Sequence, residues 1–447
     1  MSETLHPLAS RPVGRLLWEY SLPAVVGLLV MSMYNVVDRI FIGQGVGPEA
    51  IAGLAVTFPV MNLTTAIGTL VGVGGSARAS IAMGGGDRQA VALYLGNSVT
   101  LTVVNAAVYI TVFALFMEPI LRAFGASDVT MPYAYDFVMY LLPGLFLTNV
   151  TYGLNNFIRA TGYPVTAMVT MLIGAGVNLV LAPLFIFVLD MGIRGAAIAT
   201  DISMAVGAMF VVAHFLRRDV SVRFTRGSFG LRWHIVLAII SIGAAPALVN
   251  TASCCINILI NRNLYAFGGD MAIGAAGIFV TVSSLVVMVV LGICQGMQPV
   301  VGYNYGAGDF GRVRRAFLMA SAAGTVVCTI GWAVVMTAPA LVARVFTADA
   351  SLISTTAPAL RTAMAVFPIV AVQIVATTYF QSIGKSGRSI FLSLTRQVLF
   401  LIPMLMLLPR FHGLTGIWMS FPASDILATA VTILLLYGEV RRTSRSV

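Results

Sequence analysis

Apolar stretches long enough to cross about 30 Å of hydrocarbon recur along the chain, separated by short polar, glycine-bearing or arginine-bearing breaks. They predict twelve membrane helices. Six lie over 16–42, 51–74, 90–117, 131–151, 165–189 and 193–215, and six over 235–260, 272–298, 314–345, 354–378, 389–409 and 414–438. The fold class is therefore an all-α polytopic membrane protein.

The pattern occurs twice. The segment Gly72-Val-Gly74-Gly-Ser-Ala-Arg-Ala-Ser-Ile-Ala-Met-Gly84-Gly-Gly86-Asp87 returns about 222 residues later as Cys294-Gln-Gly296-Met-Gln-Pro-Val-Val-Gly-Tyr-Asn-Tyr-Gly306-Ala-Gly308-Asp309. At nearly that offset Pro23 falls on Pro246, Gly162 on Gly384, and Met191-Gly-Ile-Arg-Gly195 on His412-Gly-Leu-Thr-Gly416. Six spans per copy is an even number, so the copies run in the same direction and are related by an axis along the membrane normal. The expected organisation is an N-lobe over 1–215, a basic linker over 216–234, a C-lobe over 235–438 and a basic tail over 439–447.

Composition agrees: the 447 residues are 59% hydrophobic and only 9% charged, whereas a soluble domain carries roughly a quarter charged residues. The net charge of +10 does not point to nucleic acid, because the arginines lie in short breaks between apolar runs. One side collects Arg11, Arg15, Arg78, Arg88, Arg159, the linker arginines, Arg312, Arg314, Arg315, Lys385, Arg388 and the tail, against Arg122, Arg194, Arg344 and Arg410 on the other. That asymmetry predicts a multi-pass membrane protein with both termini and the linker cytoplasmic. The linker is expected to act as a topology determinant that also touches anionic lipid. The first apolar run is too long for the core of a cleaved signal and is expected to stay as a helix.

Several motifs do not carry their usual chemistry. Gly306-Ala-Gly308-Asp-Phe-Gly311 fits a dinucleotide fingerprint, but that needs a preceding strand, and here the glycines follow a membrane helix. Gly84-Gly-Gly86-Asp87 lacks the Lys-Ser/Thr of a phosphate loop, so uphill transport would draw on an ion gradient. Cys254, Cys255, Cys294 and Cys328 sit in apolar runs without ligand spacing and read as small buried hydrophobes. The four histidines are scattered, no catalytic cluster is visible, and neither an enzyme nor a bound cofactor is expected.

A charge inside the bilayer is expensive, so intramembrane carboxylates need a reason. Asp38 lies toward the outer end of span 1, Asn178 mid-way along span 5, and Thr200 and Asp201 about 13 Å down span 6. These depths overlap, so one cavity between spans 1, 5 and 6 would gather all four. Asp38 reads as a carboxylate protonated or ion-bound in one state and released in another; the competing reading pairs it with Arg39 or Arg262. Arg396 and Asp425 read as a satisfied interhelical pair. The repeat is broken here: Asp38, Asn178 and Thr200 meet Asn261, Phe400 and Phe421 in the second copy.

Together these residues resemble the multidrug and toxic compound extrusion (MATE) family of cation-coupled antiporters, most of all its MepA-type bacterial branch. The matching stretches are Tyr34-Asn-Val-Val-Asp38-Arg-Ile-Phe-Ile-Gly43, Arg159-Ala-Thr-Gly162, Gly195-Ala-Ala-Ile-Ala-Thr200, Gln295-Gly-Met-Gln-Pro299-Val-Val-Gly-Tyr-Asn-Tyr-Gly306-Ala and Gly413-Leu-Thr-Gly-Ile-Trp418. The resemblance implies two six-helix lobes in a V around a central cavity. It implies a cation site at Asp38, Asn178 and Thr200 and cavity lining by Asn155, Met171 and Met204, to which Met31 and Asn261 are added. Many members read Asn-x-x-x-Asp in span 5; this chain reads Asn178-Leu-Val-Leu-Ala182, and Asp201 is the candidate replacement for the missing acid.

The expected function is export of amphipathic, cationic organic compounds in exchange for inward protons, by a monomer whose partners are its small-molecule cargo and the lipid bilayer. Sodium coupling is the first alternative, and a flippase for lipid-linked oligosaccharides on the related fold is the second. The flippase would need several cationic residues facing a diphosphate, and the lobe centres show few.

Overall fold

The computed structural model describes residues 7–46 and 48–443. After a short helical turn, Pro7–Ser10, six membrane helices follow: α1 (Val13–Gly45), α2 (Pro48–Gly84), α3 (Arg88–Ala123), α4 (Met131–Ala160), α5 (Pro164–Val188) and α6 (Gly192–Leu216). The second set is α7 (Trp233–Gly269), α8 (Met271–Gly306), α9 (Phe310–Thr337), α10 (Ala350–Ala363 continued by Phe367–Ser382), α11 (386–412) and α12 (414–443). The last two form one unbroken helical run, but 53 helical residues would reach about 80 Å, far more than a bilayer's thickness. Gly413 divides them, with φ 55° and ψ −134°, a backbone turn open to glycine. Twelve spans result.

Two spans differ from the sequence expectation. The ninth stops at Thr337 rather than running to 345, because Pro339 cannot continue it and opens a separate short helix, Pro339–Arg344. The tenth is bent by 50° between Ala363 and Phe367, where Pro368 removes a backbone donor. Two π-helical stretches also appear, Leu184–Val188 closing α5 and Thr395–Leu401 inside α11.

The duplication is visible in the backbone. Gly86 and Gly308 have φ of 79° and 77°, Gly162 and Gly384 108° and 75°, and Gly192 and Gly413 56° and 55°. Gly86 and Gly308 are each followed by the same device: Asp87 accepts from the Ala90 amide at 2.8 Å and Asp309 from the Arg312 amide at 3.0 Å, capping α3 and α9. Glycines 306 and 308 therefore form a helix-to-helix turn, as expected, and no strand is present among the described residues.

The lobes close on each other at the end that carries the termini. There Gly84 of α2 lies against the Tyr303 carbonyl of α8 and Gly306 of α8 against the Ile81 carbonyl of α2. Gly74 and Gly243 make the same kind of backbone approach between α2 and α7, and Ser21 Oγ donates to the Ile293 carbonyl at 3.4 Å between α1 and α8. The far halves of α1 and α7 instead expose Met33, Val36, Ile258 and Tyr265. Between the lobes the linker is tied to α3: Asn97 donates to the Ser228 carbonyl at 3.0 Å and accepts from the Arg232 amide at 2.9 Å. Cys294 and Cys328 are buried, as read; the side chains of Cys254 and Cys255, and those of the tail beyond 438, lie outside the described residues.

Candidate functional site

Three helices of the N-lobe carry the site. On α1, Tyr34 and Asp38 are one turn apart and share a face. Across from them α5 and α6 are joined by Asn178, whose Nδ2 donates to Thr200 Oγ1 at 3.2 Å. The threonine hydroxyl gives its own proton to the Ala196 carbonyl at 3.0 Å, so its direction is fixed. The Tyr34 side chain lies near that of Thr200, and Asp38 follows it one turn along the same face of α1. Sequence reasoning missed Tyr34; its place four residues before Asp38 was the available signal.

Asp38 has no salt-bridge partner among the described residues. Arg39 lies over the Phe58 ring, 4.6 Å from its centre, and Asp38 Oδ1 is buried without a hydrogen-bond donor. A buried oxygen in that position is satisfied by a proton of its own, a cation or a water. Asp201 is placed differently. Its carboxylate fills the notch that Gly144 leaves in α4, about 100° around α6 from Thr200, and a Cβ at 144 would overlap it. The structure therefore brings Asn178 and Thr200 together, sets Asp38 one turn from Tyr34 on the same face of α1, and turns Asp201 toward α4.

Toward the closed end of the bundle lies a cavity of about 70 Å³ whose wall includes Met31, Asn155, Arg159, Met171, Met204 and Gln295. Four of the five expected lining residues meet there. Asn261 does not: it is exposed on α7, away from this wall. Arg159, read from the sequence as a loop charge, is instead in the last turn of α4 and only 5% exposed. It donates to Asn155 Oδ1 at 2.9 Å and across the lobes to Gln295 Oε1 at 2.6 Å. Arg78, likewise expected in a loop, is inside α2, its Nε 3.4 Å from the Ala238 carbonyl of α7. The signal for Arg159 was its spacing of four from Asn155, which continues a polar stripe through Thr148, Thr151 and Tyr152.

Each of the three helices carries one group of the polar cluster and one wall of the cavity. They are Asp38 and Met31 on α1, Asn178 and Met171 on α5, and Thr200 and Met204 on α6. The separations are one or two helical turns, so a shift in one place moves the other. In the C-lobe, Arg396 donates to Asp425 at 2.7 Å, the interhelical pair expected from their depths.

The MatE family model matches residues 23–184 and 244–407. The chain is 25% identical over 437 residues to the multidrug export protein MepA of Staphylococcus aureus (strain N315), covering 97% of this chain and 96% of that one. It is 26% identical over 434 residues to an FAD transporter of Shewanella oneidensis, covering 94% of each. Among solved structures, the MATE multidrug transporter DinF-BH matches with a TM-score of 0.89 and 34% identity, covering 97% of each chain. An outward-facing multidrug resistance MATE family transporter matches with a TM-score of 0.90 and 25% identity, covering 98% of this chain and 97% of that one. With 326 residues inside the two matched family segments, a twelve-span duplicated architecture and a buried polar cluster facing a cavity, the chain belongs to the MatE family of membrane transporters, the multidrug and toxic compound extrusion family, and is not an enzyme.

Proposed function

We propose that this transporter exports a range of organic compounds by alternating access, exchanging them for protons taken up at Asp38. The observation that carries the reading is the pairing, on α1, α5 and α6, of a polar coupling group with a cavity wall one or two turns away. Organic cargo is supported by the relatives, whose names give multidrug export and FAD transport. The arginine asymmetry supports cytoplasmic termini, so the end closed here faces inward.

Asp38 entered by a proton from outside gains a donor, which changes what Tyr34 and Thr200 can accept. Re-pairing along Asp38, Tyr34, Thr200 and Asn178 shifts α1 against α5 and α6. Because Gly27 of α1 packs on the Met171 thioether, that shift narrows the cavity between Met31 and Met171 and expels its guest outward. Return of the proton to the cytoplasm resets the helix. One proton moving through 100 mV supplies about 2.3 kcal/mol, enough for roughly fiftyfold accumulation.

Purified protein in proteoliposomes, given a pH gradient or a sodium gradient separately, tests the coupling. The reading expects efflux of a fluorescent organic dye under the pH gradient alone. Flux driven by sodium alone overturns proton coupling.

A further inference from the structure

The cavity wall holds one formal charge, and it is positive. Arg159 lines it, while none of the lining residues is Asp or Glu and Asp38 lies outside it. Cationic cargo, expected from the sequence, finds no carboxylate here. Arg159 is nine-tenths buried and forms no ion pair among the described residues, yet burying a guanidinium without a counter-charge is strongly unfavourable. Its bonds to Asn155 Oδ1 and Gln295 Oε1 use two of five N–H donors, both on neutral amide oxygens. A lobe-to-lobe link alone would need one neutral donor, not a fork with three donors left over.

A second group points the same way. Thr151, two turns before Arg159 on α4 and also on the wall, has a buried hydroxyl with no hydrogen-bond partner. The opposite wall is built from Met31, Met171 and Met204, with Gly174 and Gly207 between them, an apolar and adaptable surface.

We infer that this cavity is an anion-accepting subsite: it takes amphipathic organic anions or zwitterions, seating a carboxylate, sulfonate or phosphate oxygen on Arg159 and Thr151 and the apolar body on the three methionines. The inference rests on reading this cavity as the cargo site and gives it a charge preference. The acidic group completes the guanidinium fork in a bidentate pair, a geometry that a lysine or a neutral amide does not reproduce.

The test uses one fluorophore with three head groups: dansylglycine (anion), dansylglycinamide (neutral) and dansylcadaverine (cation). Equilibrium binding to the full-length detergent-purified protein is followed by fluorescence. The anion is expected to bind about tenfold or more tighter than the neutral probe, the span of a charge-assisted hydrogen bond. Arg159→Gln is expected to erase that preference, Arg159→Lys to restore part of it, and Thr151→Val, which leaves the lobe link intact, to weaken it severalfold. Equal binding of all three probes by the wild type, or an anion preference surviving Arg159→Gln, overturns the inference. Flux separates it from the transport reading. If the anion binds through Arg159 but no gradient moves it, export fails and the subsite stands; if a pH gradient moves only the cation, export stands and the subsite fails.

Discussion

Gly84 of α2 and Gly306 of α8 occupy equivalent places in the two copies, and each lies against a backbone carbonyl of the other's helix, Tyr303 and Ile81 respectively. Ile81 and Tyr303 are themselves equivalent, so the contact is symmetric about the repeat axis. A side chain at either glycine would collide with backbone, which cannot rotate away as a side chain can. Gly84→Leu is therefore expected to prop the cytoplasmic end open. Ser21→Cys, placed in a background free of the four native cysteines, reports this through reaction with a water-soluble maleimide. It should be protected in the parent and labelled at least tenfold faster with leucine at 84; equal labelling would show that the glycines do not hold this end shut.

The Asn178–Thr200 bond is part-buried, with Asn178 only 1% exposed. Thr200→Val keeps the shape and leaves the amide without its acceptor, at about 1–3 kcal/mol. The variant is expected to lose several degrees of melting temperature and most gradient-driven dye efflux, whereas Thr200→Ser should keep both. Efflux retained by valine at this position would remove Thr200 from the coupling path.

Arg396 and Asp425 form an ion pair in the C-lobe, with the aspartate side chain almost fully buried. Removing one partner strands the other, so Asp425→Ala should cost about 3–5 kcal/mol. The double variant Arg396→Met with Asp425→Leu should recover most of the loss, because it removes both charges of the pair together. Thermal unfolding of the four forms decides: a double variant no more stable than the single would mean the pair does more than neutralise itself.

Asp201 is the residue whose role the structure redirects. It stood in the sequence as the substitute for the acid missing at Ala182, yet its carboxylate is lodged against Gly144 rather than beside Thr200. Asp201→Asn keeps that packing and is expected to retain gradient-driven efflux within about twofold, whereas Gly144→Val should destabilise the protein. Loss of efflux in the asparagine variant, with normal expression and melting, would return Asp201 to the coupling site.

Much of this was legible from sequence because the signals are local. Span length and hydropathy locate the helices, and turn glycines such as Gly86 and Gly308 show the repeat. The family resemblance put Asn155, Met171 and Met204 on the cavity lining, where Met31 joins them. The rest depends on which helix a residue meets. Arg159 looks like a loop cation until Gln295, 136 residues away, covers it. Asp201 and Thr200 are neighbours in the chain but face α4 and α5, and that choice is set by where α4 packs. Asn261 shares Asp38's place in the repeat yet stays exposed, so equivalence in the duplication does not carry a residue into the cavity.

Coupling turns on Asp38, whose Oδ1 is buried one turn from Tyr34 without a donor. The direct measurement compares wild type and Asp38→Asn in proteoliposomes under a pH gradient, with a fluorescent organic dye and with equilibrium dye binding as the control for folding. The account predicts that the variant binds dye as the parent does but loses gradient-driven efflux at least tenfold. Full pH-driven efflux by Asp38→Asn would contradict it.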